Sequence, residues 1–129
     1  LRAGILEEIP HADCQIYDIN AHDMAFLQGL LNRSDAFGIG SPTINADAVA
    51  PVWNLLSHVD AINNRKRPVL VFGSYGWSGE AVPNLTARMQ QLRLSLPLEG
   101  MRVRFCPTQE DLAAAVQFGR DFAKAVRGE

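Results

Sequence analysis

The run Pro68-Val69-Leu70-Val71-Phe72-Gly73 constrains the fold more than any other segment of this chain. It is apolar at every interior position and lacks the alternation of a strand that shows one face to water. Such a run predicts a central parallel strand with helices covering both of its sides. A shorter apolar run, Ala36-Phe37-Gly38-Ile39-Gly40, predicts a buried neighbour. Around these two, helical spacing recurs. Leu1, Ile5, Leu6 and Ile9 share one face of a stretch that Pro10 ends. Met24, Leu27, Leu30 and Leu31 predict a helix whose N-cap is Asn20, with Asp23 three residues on. Val52, Trp53, Leu56 and Val59 predict another, with Pro51 at its first position. A third starts near Gly79 and carries Val82, Leu85, Met89 and Leu92 inward, although Pro83 sits awkwardly in it. The last carries Leu112, Val116, Gly119, Phe122 and Val126. Residues 14–18 alternate like a short strand, and residues 94–98 and 101–105 read as an interrupted final strand.

Strands alternating with helices over short loops imply a parallel sheet with right-handed crossovers, the doubly wound α/β class. In that class ligands bind outside the carboxyl ends of the strands. The chain's 129 residues suffice for one such domain. Its net charge of −2, with no basic block, excludes a nucleic-acid surface of the usual kind. No apolar run is long enough to span a bilayer. Cys14 and Cys106 form no framework or metal pair, and the expectation is two buried, reduced thiols in a cytoplasmic protein. His11, His22 and His58 lack metal-ligand spacing. The basic turn over residues 63–67 reads as a solvated loop.

Two loops carry the chemistry, and both follow strands on the same edge of the sheet. In Ser41-Pro42-Thr43-Ile44-Asn45, small and hydroxyl residues allow close backbone approach, and Asn45 both donates and accepts. The same residue types also cap helices and shape turns. In Ser74-Tyr75-Gly76-Trp77-Ser78-Gly79, two large aromatics stand among small residues. Tyr75 and Trp77 are placed to flank a planar ring, with backbone N–H groups from Gly76 to Gly79 at its polar edge. A packed surface loop with an aromatic plug is the alternative.

These two segments resemble the second and third FMN loops of flavodiiron proteins, the A-type flavoproteins. The run Phe72-Gly73-Ser74-Tyr75-Gly76-Trp77-Ser78-Gly79-Glu80-Ala81 is the specific part of the likeness. Pro107-Thr108-Gln109-Glu110-Asp111-Leu112 is similar to the start of that family's last helix. The resemblance implies a flavodoxin-like sheet of strand order 2-1-3-4-5 and a bound FMN that passes electrons onward. It implies that Ser41, Pro42, Thr43, Ile44 and Asn45 line one side of the FMN ring and its ribityl chain. Ser74, Tyr75, Gly76, Trp77, Ser78 and Gly79 would hold the other side, with Glu80 less firmly placed. It further implies a metallo-β-lactamase-like partner domain whose di-iron centre reduces O2 or NO, a redox donor protein or reductase domain, and a homo-oligomeric full-length protein. The domain itself would be an electron carrier with no catalytic or metal residues of its own. A flavodoxin also has a first strand and a phosphate loop, and these residues contain neither. The expectation is therefore one domain of a longer chain, with the first strand upstream and central between the strands at 14–18 and 36–40.

Three other readings share the layer order. A phospho-receiver needs an acceptor Asp where Gly40-Ser41-Pro42 stands. A hydrolase with Ser74 as nucleophile needs a glycine at position 72, which is Phe. A cofactor-free docking module keeps the fold and drops the FMN.

Overall fold

The computed structural model describes residues 1–128. Helix α1 (Arg2–Glu8) comes first, then α2 (Met24–Arg33), β1 (Phe37–Gly40) and α3 (Ala50–Leu56). Strand β2 (Val69–Tyr75), α4 (Ala81–Gln91), β3 (Met101–Arg104) and α5 (Gln109–Val126) follow. The three strands are parallel and lie in the order β1-β2-β3, with Phe37 opposite Val69 and Phe72 opposite Met101. That order is the 3-4-5 part of the arrangement expected from the sequence.

Strand β2 is central for the reason its composition gives. Val69, Leu70 and Val71 are all buried. Val69 and Val71 belong to the main core with Leu27 of α2, Leu56 of α3, and Leu85 and Met89 of α4. Fully burying side chains of this size stabilises by roughly 1.5–3 kcal/mol each. Leu70 points to the other face, beneath Gly38. Helices α1 and α5 pack together so closely that their backbones touch. A Cβ at Gly4 would lie 1.9 Å from the Val116 carbonyl oxygen, and one at Gly119 would lie 2.1 Å from that of Leu1. Ion pairs from Arg120 to Glu7 and from Arg127 to Glu8 border the contact. Exposed pairs of this kind add little.

Several expectations need correction. Residues 14–18 form no strand. No described strand lies beside them to complete a ladder, Ile16 is exposed, and the Cys14 carbonyl accepts from Arg2 Nε at 2.7 Å. The cap of α2 is Asp23, whose carboxylate accepts from Phe26 N at 2.8 Å. Asn20 instead lies in a short 3-10 turn, Ile19–Ala21, capped by Asp18. Pro51 takes the second position of α3, and Val59 lies beyond its end. Pro83 is the third residue of α4, where no intrahelical bond is lost, so it distorts nothing. Residues 94–98 are a connection held by a single bridge from Ser95 to Pro68. The last strand stops at Arg104, because Phe105 turns into the left-handed region at φ 55°. Leu112 is half-exposed rather than inward. Cys14 is half-buried and Cys106 exposed, since the chain has left the sheet at both points.

The basic turn holds more structure than its charge suggests. Asn64 is fully buried and donates to Asn32 Oδ1 at 2.9 Å and to the Asp60 carbonyl at 2.7 Å. Arg67 donates to the Leu31 carbonyl at 2.7 Å and to Asn64 Oδ1. Among the described residues, no helix is long and apolar enough to cross a membrane.

Candidate functional site

The two loops singled out in the sequence meet at the carboxyl end of the sheet. Past β1, Ser41 N still donates to the Phe72 carbonyl at 3.2 Å, and Thr43 N donates to the Ser74 carbonyl at 2.9 Å. The first loop thus runs on against β2 before turning away. Gly73 permits this approach, since a Cβ there would lie 2.3 Å from the Ser41 carbonyl oxygen. A third tie comes from α4, whose first amide, Ala81 N, donates to Thr43 Oγ1 at 3.1 Å. Ser41 is buried; its Oγ donates to the Pro42 carbonyl at 2.8 Å and accepts from Val49 N at 3.0 Å, just ahead of α3. Both hydroxyls therefore satisfy backbone donors at helix starts, the alternative role their composition allowed.

The first loop closes in a two-residue hairpin. Ile44 and Asp47 exchange backbone bonds at 2.9 and 3.2 Å, and the central residues Asn45 and Ala46 sit at φ 52° and 61°. Positive φ at both central positions is the primed turn geometry, which asparagine tolerates and alanine does not. Ala46→Gly is expected to raise unfolding free energy by about 0.5–1 kcal/mol, read from denaturant midpoints at unchanged slope.

Asp47 clamps the hairpin to the helices. Its carboxylate accepts from Asn84 Nδ2 at 3.0 Å, from Ala48 N at 2.8 Å and from Trp53 Nε1 at 3.1 Å. The bond from Asn84, helped by those from Ala48 and Trp53, holds the carboxyl below its ordinary value of 3.8 against a desolvation that opposes it. A depressed carboxyl stabilises the fold above its unfolded value, and that contribution is lost as pH falls through the folded one. Melting temperatures of Asp47→Asn are accordingly expected to fall less steeply below about pH 4 than those of the parent. Parallel profiles would remove the clamp from the acid response.

The second loop presents its two aromatics differently. Tyr75 is half-buried, and its ring lies 3.3 Å from where a Cβ on Gly79 would stand, beside Arg102. Trp77 is 98% exposed, so its ring is open to another group. Ser78 and Gly79 are half-buried, and Ser74 is exposed. Among the described residues, Glu80 Oε2 is the buried side-chain oxygen without a hydrogen-bond partner. An unmatched buried acceptor costs roughly 1–3 kcal/mol, so this loop is short of a donor.

The structure therefore joins Ser41, Thr43, Ser74 and the start of α4. Pro42, Ile44 and Asn45 stand exposed at the rim, and Tyr75 and Trp77 make no ring contact with each other. Two participants lay outside the sequence argument. One is the Asp47–Asn84–Trp53 clamp, whose members lie 37 and 6 residues apart along the chain. The other is Phe105, in the loop after β3. A groove of about 400 Å³ runs beside the crossing, with Ser41, Pro42, Gly73, Ser74 and Phe105 in its wall. His11, His22 and His58 are exposed and stand apart from it.

A parallel α/β sheet with two polar loops crossing at its carboxyl end is the architecture of flavodoxins. Oxidised flavodoxin 1 from Bacillus cereus superposes with a TM-score of 0.77 at 26% identity, covering 95% of this chain and 86% of that one. The homologues of this chain are flavodiiron, or A-type, flavoproteins. The chain is 39% identical over 126 residues to the flavo-diiron protein FprA2 of Clostridium acetobutylicum, covering 98% of this chain and 32% of that protein. The flavodiiron protein from Giardia intestinalis superposes with a TM-score of 0.84 at 25% identity, covering 97% of this chain and 32% of that one. The chain thus spans less than a third of the length of the curated relatives it matches. No family model matches it.

Proposed function

We propose that this chain binds FMN where its first two loops cross and serves as the electron-transfer domain of a flavodiiron-type oxidoreductase. The observation that carries the reading is the backbone tie between Thr43 and Ser74, which brings residues 41–45 and 74–79 to one end of the sheet. Three further features support it. Gly73 lets the loops approach to within backbone contact. Trp77 offers an uncovered ring. Glu80 leaves a buried acceptor unmatched, and the imide edge of a flavin carries the N–H such a site lacks.

FMN supplies the redox chemistry when bound; the protein supplies position and environment. Ser41, Pro42, Thr43, Ile44 and Asn45 would line the ring and ribityl chain on one side. Ser74, Tyr75, Gly76, Trp77, Ser78 and Gly79 would take the other. Trp77 would shield one ring face from water, and the loop amides would orient its polar edge. Electrons would leave toward a di-iron centre in a separate metallo-β-lactamase-like domain, and a donor protein or reductase domain would replenish them. Such full-length proteins would assemble as homo-oligomers in the cytoplasm.

The test is direct. Purified protein is expected to be yellow, or to become so on adding FMN, with stoichiometric quenching of flavin fluorescence. Protein that stays colourless and leaves FMN fluorescence unchanged would overturn the assignment.

A further inference from the structure

Phe105 is difficult to account for by folding alone. It is a bulky residue at φ 55°, a region that side chains of its size rarely enter. The residue is 67% exposed, so burial does not offset that strain. Strain of this kind persists where surrounding structure enforces it, and it gathers at functional sites.

What enforces it here is the second loop. Phe105 N donates to the Tyr75 carbonyl at 2.7 Å, one of the shortest backbone bonds between loops in the fold. The Phe105 ring lies against Gly76, with its edge 3.1 Å from where a Cβ on Gly76 would stand. The Arg104 guanidinium sits 5.3 Å from the ring's centroid. The left-handed turn thus delivers the ring onto the backbone between the two aromatics proposed to hold the flavin. Its other border is the groove it shares with Ser41, Pro42, Gly73 and Ser74.

From this geometry we infer that Phe105 is a positioning residue of the flavin site: it props the loop at Tyr75 and Gly76 and thereby sets where Trp77 and the loop amides meet the ring. The inference rests on the proposed function and adds to it a third loop, after β3. The prop works through backbone contact with a glycine, so it needs an aromatic disc rather than a particular functional group.

Two variants separate the prop from general stability. Phe105→Gly removes the ring and relieves the left-handed strain, so its melting temperature is expected to match or exceed the parent's. Phe105→Tyr keeps the disc. In the FMN-free protein, amide hydrogen exchange at residues 75–79 is expected to quicken in Phe105→Gly and to stay at the parent rate in Phe105→Tyr. FMN affinity of Phe105→Gly is expected to fall about tenfold, with a shifted flavin midpoint potential, while Phe105→Tyr stays near the parent. Parent protein that binds FMN beside a Phe105→Gly variant of equal affinity, potential and loop exchange would overturn this inference and leave the flavin site standing. Parent protein that takes up no FMN would overturn the site and this role together.

Discussion

Gly73→Ala is expected to cost about 3 kcal/mol of stability and to lower the melting temperature by about 10 °C. The added methyl group would stand 2.3 Å from the Ser41 carbonyl oxygen and 3.2 Å from Val82 Cγ2. The valine can turn aside, but the carbonyl belongs to a backbone tied to β2 on both sides of the clash, at Ser41 and at Thr43. The first loop must therefore lift from the sheet. That motion stretches the bond from Thr43 N to Ser74 and takes Thr43 Oγ1 from the first amide of α4. Stability and FMN uptake should thus fall together, measured by thermal melts and flavin titration on the same preparation. A variant with parental melting and parental uptake would show that the crossing does not hold the site.

Trp77→Ala is expected to do the opposite and split the two quantities. With 98% of its surface in solvent, the indole contributes nothing to the folded core, and the variant's stability should stay within about 0.5 kcal/mol of the parent. FMN affinity is expected to drop by about tenfold, since an aromatic face on a planar ring is worth roughly 0.5–1.5 kcal/mol beyond the area it covers. The midpoint potential should shift as water gains access to the ring. Unchanged titration and unchanged potential would remove Trp77 from the site.

What the sequence disclosed follows from where the physics is local. The unbroken apolar run at 68–73 required a strand covered on both sides, and β2 is that strand. The spacing of Leu85 and Met89 required a helix face against it, and both are buried. The two loops were legible because strand ends, small residues and aromatics lie close together in the chain. Other features depend on distant partners. The alternation at 14–18 reads as a strand only if a ladder exists beside it, and none does among the described residues. Asn64 looked like part of a solvated turn because Asn32, far back in the chain, meets it only in the fold. The left-handed backbones of Ala46 and Phe105 carry no signature at all, since neither residue type favours that region. Phe105 consequently read as the last residue of a strand, and its place beside Gly76 went unseen.

The backbone contact of α1 with α5, made at Gly4 and at Gly119, has a kinetic consequence. A helix as short as α1 has little chance of persisting by itself, and isolated helices under about 12 residues are marginal in water. Its seat is made by residues more than a hundred positions later, as the ion pair from Arg120 to Glu7 marks. During synthesis α1 must therefore wait, unstructured, until α5 has emerged. Helix α1 would thus be among the later parts of this fold to settle, and the passage after it would stay open to proteases until α5 arrives.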